Sequence, residues 1–264
     1  MDDANPTLDL TLGGLITRAA ALWPGRRALC FEGEQLNYAE LLARARLCAR
    51  GLVGLGVRKG DKVGLWLPNR PAWLHLQHAC ALLGAVVVPL NTRHKESELA
   101  YLLQQSDVSV LVTAQGDAQV DHVGILEAIV PELGSGRARG AQDTFPLLRH
   151  VVVDGPGPHR PGLLGLQELL QHAHAGAHDG PPQEALAASV APDDPFTILY
   201  TSGTTSKPKG AVITHRNTVP HGWFCGRVSG VDESDRILLS VPFCGSWGGC
   251  ASREWPSRGV PPSS

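Results

Sequence analysis

An excess of charge of either sign is missing from this chain. Its 23 Lys and Arg stand against 25 Asp and Glu, a formal net charge of −2. A phosphate backbone is held by surplus cations, so general nucleic-acid binding is not expected. Long apolar runs are missing too. The longest uncharged one, Ala79–Leu90, has twelve residues. That is too short to span a bilayer and reads as a buried helix running into a buried strand. Met1-Asp2-Asp3 is acidic and no long apolar stretch follows it, which argues against a secretory signal peptide. Six cysteines, at 30, 48, 80, 225, 244 and 250, never take C-x-x-C spacing. Neither a zinc site nor a redox motif is indicated. Cys30, Cys48 and Cys80 lie in apolar segments and are expected in the core. A reducing, cytoplasmic location is the simplest expectation. No repeat of 20–50 residues is visible.

What is present is ordinary for a globular protein: 264 residues, 43% hydrophobic and 18% charged. That length allows one large domain or two small ones. Short apolar strands alternate with helices. Strands are expected at 28–31, 62–67, 86–88, 108–112 and 149–153. Helices are expected at 12–23, from Asn37 to about Val53, at 72–83, 96–105 and 120–130. Asn37 followed by Glu40 reads as a capping box, in which each side chain satisfies a backbone N–H at the helix start. The alternation predicts an α/β fold with a mostly parallel sheet covered on both faces. From Asp154 to Pro195 the texture changes, with 13 Gly or Pro. One helix, Leu163–His174, is expected within an otherwise exposed connection. The resulting division is 1–153 as an N-terminal subdomain, 154–195 as the connection, 196–250 as the opening of a second subdomain, and 251–264 as a tail.

The stretch that carries chemistry is Phe196 to His215. An apolar strand leads into Thr201-Ser202-Gly203-Thr204-Thr205-Ser206-Lys207-Pro208-Lys209-Gly210. A second apolar strand follows, then a helix that Thr214 can cap. The loop is suited to an anion. Glycine lets backbone N–H groups approach a ligand closely. Thr201, Ser202, Thr204 and Thr205 offer hydroxyls, and Lys207 and Lys209 offer positive charge. Each hydrogen bond to a charged group is worth roughly 1.5–3 kcal/mol, so several together hold a polyphosphate. A polar surface turn is the plain alternative. A mononucleotide P-loop is the other, but it needs G-x-x-x-x-G-K-[ST] opening a helix. Here Gly203 and Gly210 are seven apart and the chain returns to a strand.

The run Tyr200–Gly210 resembles the Y-T-S-G-T-T-G-x-P-K-G signature of the adenylate-forming enzymes, the acyl-CoA synthetases, luciferases and peptide-synthetase adenylation domains. Ser206 stands where the family usually has glycine. Asn37–Leu41, Val63–Asn69 and Gly84–Arg93 resemble the acyl-CoA synthetase branch, and Pro89-Leu90-Asn91-Thr92-Arg93 is most similar to fatty-acyl and related carboxylate–CoA ligases. The resemblance covers roughly residues 10–250. It implies ATP, Mg²⁺ and coenzyme A as participants and a small carboxylic acid as substrate. In such enzymes the carboxylate attacks the α-phosphorus, pyrophosphate leaves, and a thiol then displaces AMP. By the resemblance, Thr201, Ser202, Gly203, Thr204 and Thr205 would hold the β- and γ-phosphates. Lys207 and Lys209 would add charge, with the hydroxyls ranked as the more direct contacts.

The pattern also departs from the family. Pro242-Phe243-Cys244-Gly245-Ser246-Trp247-Gly248 matches the frame P-x-x-H-x-x-G, but Gly245 replaces the His that lines the acyl site. No catalytic residue is therefore assigned. Trp247 would wall an acyl pocket or serve as a core aromatic. The adenine-binding segment, the acidic Mg²⁺ ligand, the ribose-binding Asp and the catalytic Lys lobe are expected beyond residue 264. A frame that has slipped register near Cys250 is the expectation for the tail, together with weak or absent activity. A non-catalytic nucleotide-binding remnant and an interaction fragment with exposed apolar surface are the rival readings. His159, His172, His174 and His178, and Arg26, Arg27, Arg44, Arg46 and Arg50, read as solvated faces rather than a metal or polyanion site.

Overall fold

The computed structural model describes residues 5–116, 120–131, 133, 145–156, 161–174, 187–201, 207–232 and 234–244. In chain order these form α1 (Leu12–Leu22), β1 (Arg27–Phe31), β2 (Glu34–Asn37), α2 (Tyr38–Gly54), β3 (Lys62–Trp66), α3 (Pro71–Leu83), β4 (Val86–Pro89), α4 (Glu96–Gln105) and β5 (Val108–Ala114). They continue as α5 (His122–Ile129), β6 (His150–Asp154), β7 (Leu164–Gly165), α6 (Leu166–His174), β8 (Pro195–Thr201), β9 (Lys209–Thr214) and α7 (His215–Val228). β1 and β2 make a separate hairpin. The other seven strands form one sheet in the order β7-β6-β5-β3-β4-β8-β9. Every neighbouring pair is parallel except β8 with β9.

The helices start where the sequence places a cap. Thr11 accepts a bond from the Gly14 N–H at 2.9 Å and opens α1. Asn37 and Glu40 exchange bonds of 2.8 Å and open α2 as a capping box. Pro71 sits in the first turn of α3, where a missing N–H is harmless. Gly84 ends α3 with φ of +69°, a conformation that a side chain disfavours.

The central strands are buried on both faces, as a parallel sheet requires. Alternation divides their side chains between two cores. Val63, Leu65, Val87, Val110, Val112 and Val152 face α1, α2, α3 and α6. Trp66, Val88, Leu111 and Val151 face α4 and α5. The α/β class with a mostly parallel, helix-flanked sheet is thus what the chain adopts.

Three local expectations differ from the outcome. Residues 164–165 are not helical: they pair with β6 as the edge strand β7, and the helix begins only at Leu166. Leu166, Leu169 and Ala173 are buried, with Leu166 and Leu169 in the core that includes α2. The helix expected within the Gly/Pro-rich stretch thus packs one face on the core. The helix expected from Val120 starts at His122, because the Asp121 carboxylate accepts from the Gly124 N–H at 2.9 Å and sets the boundary. Cys48 and Cys80 are buried, but Cys30 is exposed. It lies on the small β1–β2 hairpin, which has an outer face toward solvent.

Burial and pH are linked at α3. The His75 imidazole is pushed down to about 4, first by burial and then by the Arg44 charge. His150 is held below its usual range by burial and by Arg149. An unfolded His takes up its proton near pH 6.5, so the unfolded chain binds more protons below that pH. The stability due to the neutral rings is present above about pH 6.5 and is lost as pH falls toward 4. Urea unfolding at pH 7 and pH 4.5 is expected to show this slope. His75→Gln should flatten it by about 1–3 kcal/mol; an unchanged slope contradicts the assignment.

Candidate functional site

β8 runs parallel to β4, with Val87 opposite Thr197. Its carboxyl end, Thr201, therefore points the same way as the ends of β3, β4 and β5. In open α/β sheets this edge is where ligands bind. The chain returns through β9, with Tyr200 opposite Gly210 and Thr201 opposite Lys209. The expected arrangement of strand, hydroxyl-rich bend and strand is thus an antiparallel hairpin. Thr201, Lys207 and Lys209 lie where its arms approach the bend and are exposed. Ser202, Gly203, Thr204, Thr205 and Ser206 lie outside the described residues, so the roles expected for them rest on the sequence.

The two arms are held from one side by α4. Leu99, Leu102 and Leu103 bury α4 in the core that Ile198 and Tyr200 also touch. The Tyr200 hydroxyl meets Gln105, and burial pushes its pKa above the ordinary tyrosine value. On the other arm the Tyr101 hydroxyl donates to the Pro208 carbonyl at 3.1 Å. The Lys207 ammonium stands 5.4 Å from the centre of the Tyr101 ring. Gly210 has a packing reason to be glycine. A Cβ there would lie 2.8 Å from Ile198 Cγ2 and 3.1 Å from Tyr200 Cζ.

The hairpin's other end is tied to the start of the chain. Thr214 caps α7 in a box with Asn217, as its sequence position suggests. Arg216 makes a two-pronged pair with Asp193 at 2.6 and 3.0 Å and donates to the Leu8 carbonyl at 3.0 Å. The Arg216 guanidinium holds the Asp193 carboxyl below its usual range. His215 is buried and its Nδ1 accepts from the Leu12 N–H at 3.2 Å.

A second segment reaches the same sheet edge. Asn69, just after β3, donates to the Val241 carbonyl at 2.7 Å and accepts from the Phe243 N–H at 2.8 Å. Phe243 is buried, with its ring centre 5.2 Å from that of Trp73. This places the first half of the P-x-x-H-x-x-G frame beside the β3 loop. Gly245 and Trp247 lie outside the described residues. His172 and His174 are exposed on α6, while His159 and His178 are outside the described residues. Among the described residues no three His, Cys, Asp or Glu side chains meet as a metal-holding group.

Tyr101, Gln105 and Asn69 were not singled out in sequence as parts of the site. A usable signal existed for Tyr101: it is one of three tyrosines in the chain, on a helix whose buried stripe is otherwise leucine.

A model of the family described as AMP-binding enzyme matches residues 16–251. The chain belongs to the AMP-binding enzyme family. Among its relatives, the medium-chain acyl-CoA ligase ACSF2 of Rattus norvegicus is 32% identical over 251 residues. That match covers 90% of this chain and 40% of the rat protein. Crotonobetaine/carnitine–CoA ligase of Salmonella arizonae is 32% identical over 228 residues, 84% of this chain and 40% of that one. The inhibitor-bound N-terminal domain of FACL13 from Mycobacterium tuberculosis superposes with a TM-score of 0.72 at 28% identity. It is matched over 95% of this chain and 56% of its own. The chain therefore spans about two fifths of the length of these curated relatives. Among the described residues no helix is long and apolar enough to cross a membrane.

The tight fit at Gly210 gives a direct test. Gly210→Ala must displace Ile198 or the Tyr200 ring, and overpacking of this kind typically costs about 1–3 kcal/mol. Urea denaturation should show a loss in that range. An unchanged midpoint would mean the arms are not packed as described.

Proposed function

We propose that this chain carries the phosphate-gripping part of an ATP-dependent carboxylate–CoA ligase. The observation that supports it most is the hairpin at the carboxyl edge of the sheet, whose bend holds Thr201 to Lys209. The family membership supports adenylate-forming chemistry, and the relatives' names support an acid and coenzyme A as the other substrates. In this reading residues 196–250 open the second subdomain of the fold. The hydroxyls of Thr201, Ser202, Thr204 and Thr205 and the N–H of Gly203 bind the β- and γ-phosphates. Lys209, across from Thr201, adds charge beside them. Fixed donors of this kind neutralise charge on the departing pyrophosphate, which phosphoryl chemistry needs more than covalent help. The acid, its chain length and the thiol partner are set by parts of the site that these residues do not define. Since the chain spans about two fifths of its relatives, these 264 residues alone are expected to bind nucleotide with little ligase turnover.

A second reading, an interaction fragment, is favoured by one observation. Val212 on β9 and Phe224 and Val228 on α7 are 59%, 58% and 71% exposed. Phe224 and Val228, four residues apart, share one face of α7, and exposed apolar side chains grouped in this way suit a surface that meets another polypeptide. Sedimentation of the purified chain separates the two readings: a nucleotide-binding monomer supports the first, and a self-associating chain indifferent to ATP supports the second.

Isothermal titration with ATP tests the phosphate grip. Binding should be displaced by pyrophosphate. Thr204→Val and Thr205→Val should each weaken it by about tenfold or more, as expected for a hydrogen bond to a charged group. ATP affinity unchanged in both variants contradicts the proposal.

A further inference from the structure

Both arms of the hairpin touch one face of α4. Residues 101 and 105 are four apart and so share a helix face. Gln105 meets the Tyr200 hydroxyl on the upstream arm. Tyr101 meets the downstream arm twice, through its hydroxyl on the Pro208 carbonyl and its ring beneath the Lys207 ammonium. These two contacts differ in kind and fall on consecutive residues of the loop. The helix that presents them is fixed, because Leu99, Leu102 and Leu103 are fully or almost fully buried. The spacing of Tyr200 from Lys207 and Pro208 is therefore set by a helix that lies outside the loop itself.

We propose that Tyr101 is a positioning residue for nucleotide phosphates, holding the Lys207–Pro208 arm at a fixed distance from Thr201. The proposal rests on the phosphate-loop reading above. Tyr101 touches no phosphate in this account. It acts through the loop, first by fixing a backbone carbonyl and second by fixing the direction of the Lys207 charge.

Two substitutions separate these contributions. Tyr101→Phe keeps the ring and removes the hydroxyl bond. Its ATP affinity should fall by about twofold to tenfold, the equivalent of one ordinary hydrogen bond. Tyr101→Leu removes the ring as well, with a further loss of about twofold to fivefold for the cation–ring contact. The double-mutant cycle with Lys207→Met excludes a general packing effect. Once residue 207 is uncharged, Leu and Phe at 101 should bind ATP equally. A Leu-over-Phe loss that persists in the Lys207→Met background overturns the proposal, as does ATP affinity unchanged in both Tyr101 variants. A second readout needs no nucleotide. Trypsin cleavage after Lys209 should be several-fold faster in Tyr101→Leu than in the wild type, at equal thermal midpoints. Should wild-type protein fail to bind ATP, the phosphate reading fails alone, and faster cleavage still supports the brace. Equal cleavage rates overturn the brace.

Discussion

The parallel pairing of β4 with β8 is the contact on which the rest depends. It aligns Thr197 with Val87 and so places the end of β8 at the same sheet edge as the loops after β3, β4 and β5. Without it the hydroxyl-rich bend would have no fixed relation to the core. With it, β8 ends at Thr201 on the edge where strand ends and loops converge, the usual location of a ligand site in such folds. β4 supplies a rigid platform because all four of its residues are buried.

The surrounding contacts convert that placement into a constrained site. α4 braces the outer arms, and Asn69 holds Val241 and Phe243 beside the β3 loop. At the root, Arg216 and His215 tie α7 to residues 8–12. Chain segments about 200 residues apart are joined there. The hairpin is thus fixed at both ends, while Thr201, Lys207 and Lys209 stand exposed where its arms approach the bend.

Much of this was legible in the residues because local rules decided it. Asn37 with Glu40, Thr214 before α7 and Gly84 after α3 mark boundaries through their own hydrogen bonds or backbone freedom. The β-branched runs at 86–88 and 108–112 could only be buried strands. The parts that were not legible depend on partners far along the chain. Leu164 and Gly165 leave the helical pattern because β6 offers an edge to pair with. Cys30 is exposed because its hairpin stands apart from the main sheet. Tyr101 reaches Pro208 across 107 positions, a contact that no spacing rule encodes. The loop's hydroxyls and lysines stand in the sequence itself, whereas the contacts of Tyr101 and Gln105 with the two arms appear only in the fold.

The most direct test of the account is amide hydrogen exchange of the 264-residue chain with and without ATP, read peptide by peptide. Slower exchange is expected across residues 201–209, extending to α4 at Tyr101, with little change on α6 or the β1–β2 hairpin. Nucleotide-dependent protection elsewhere, with residues 201–209 unaltered, would contradict the central claim.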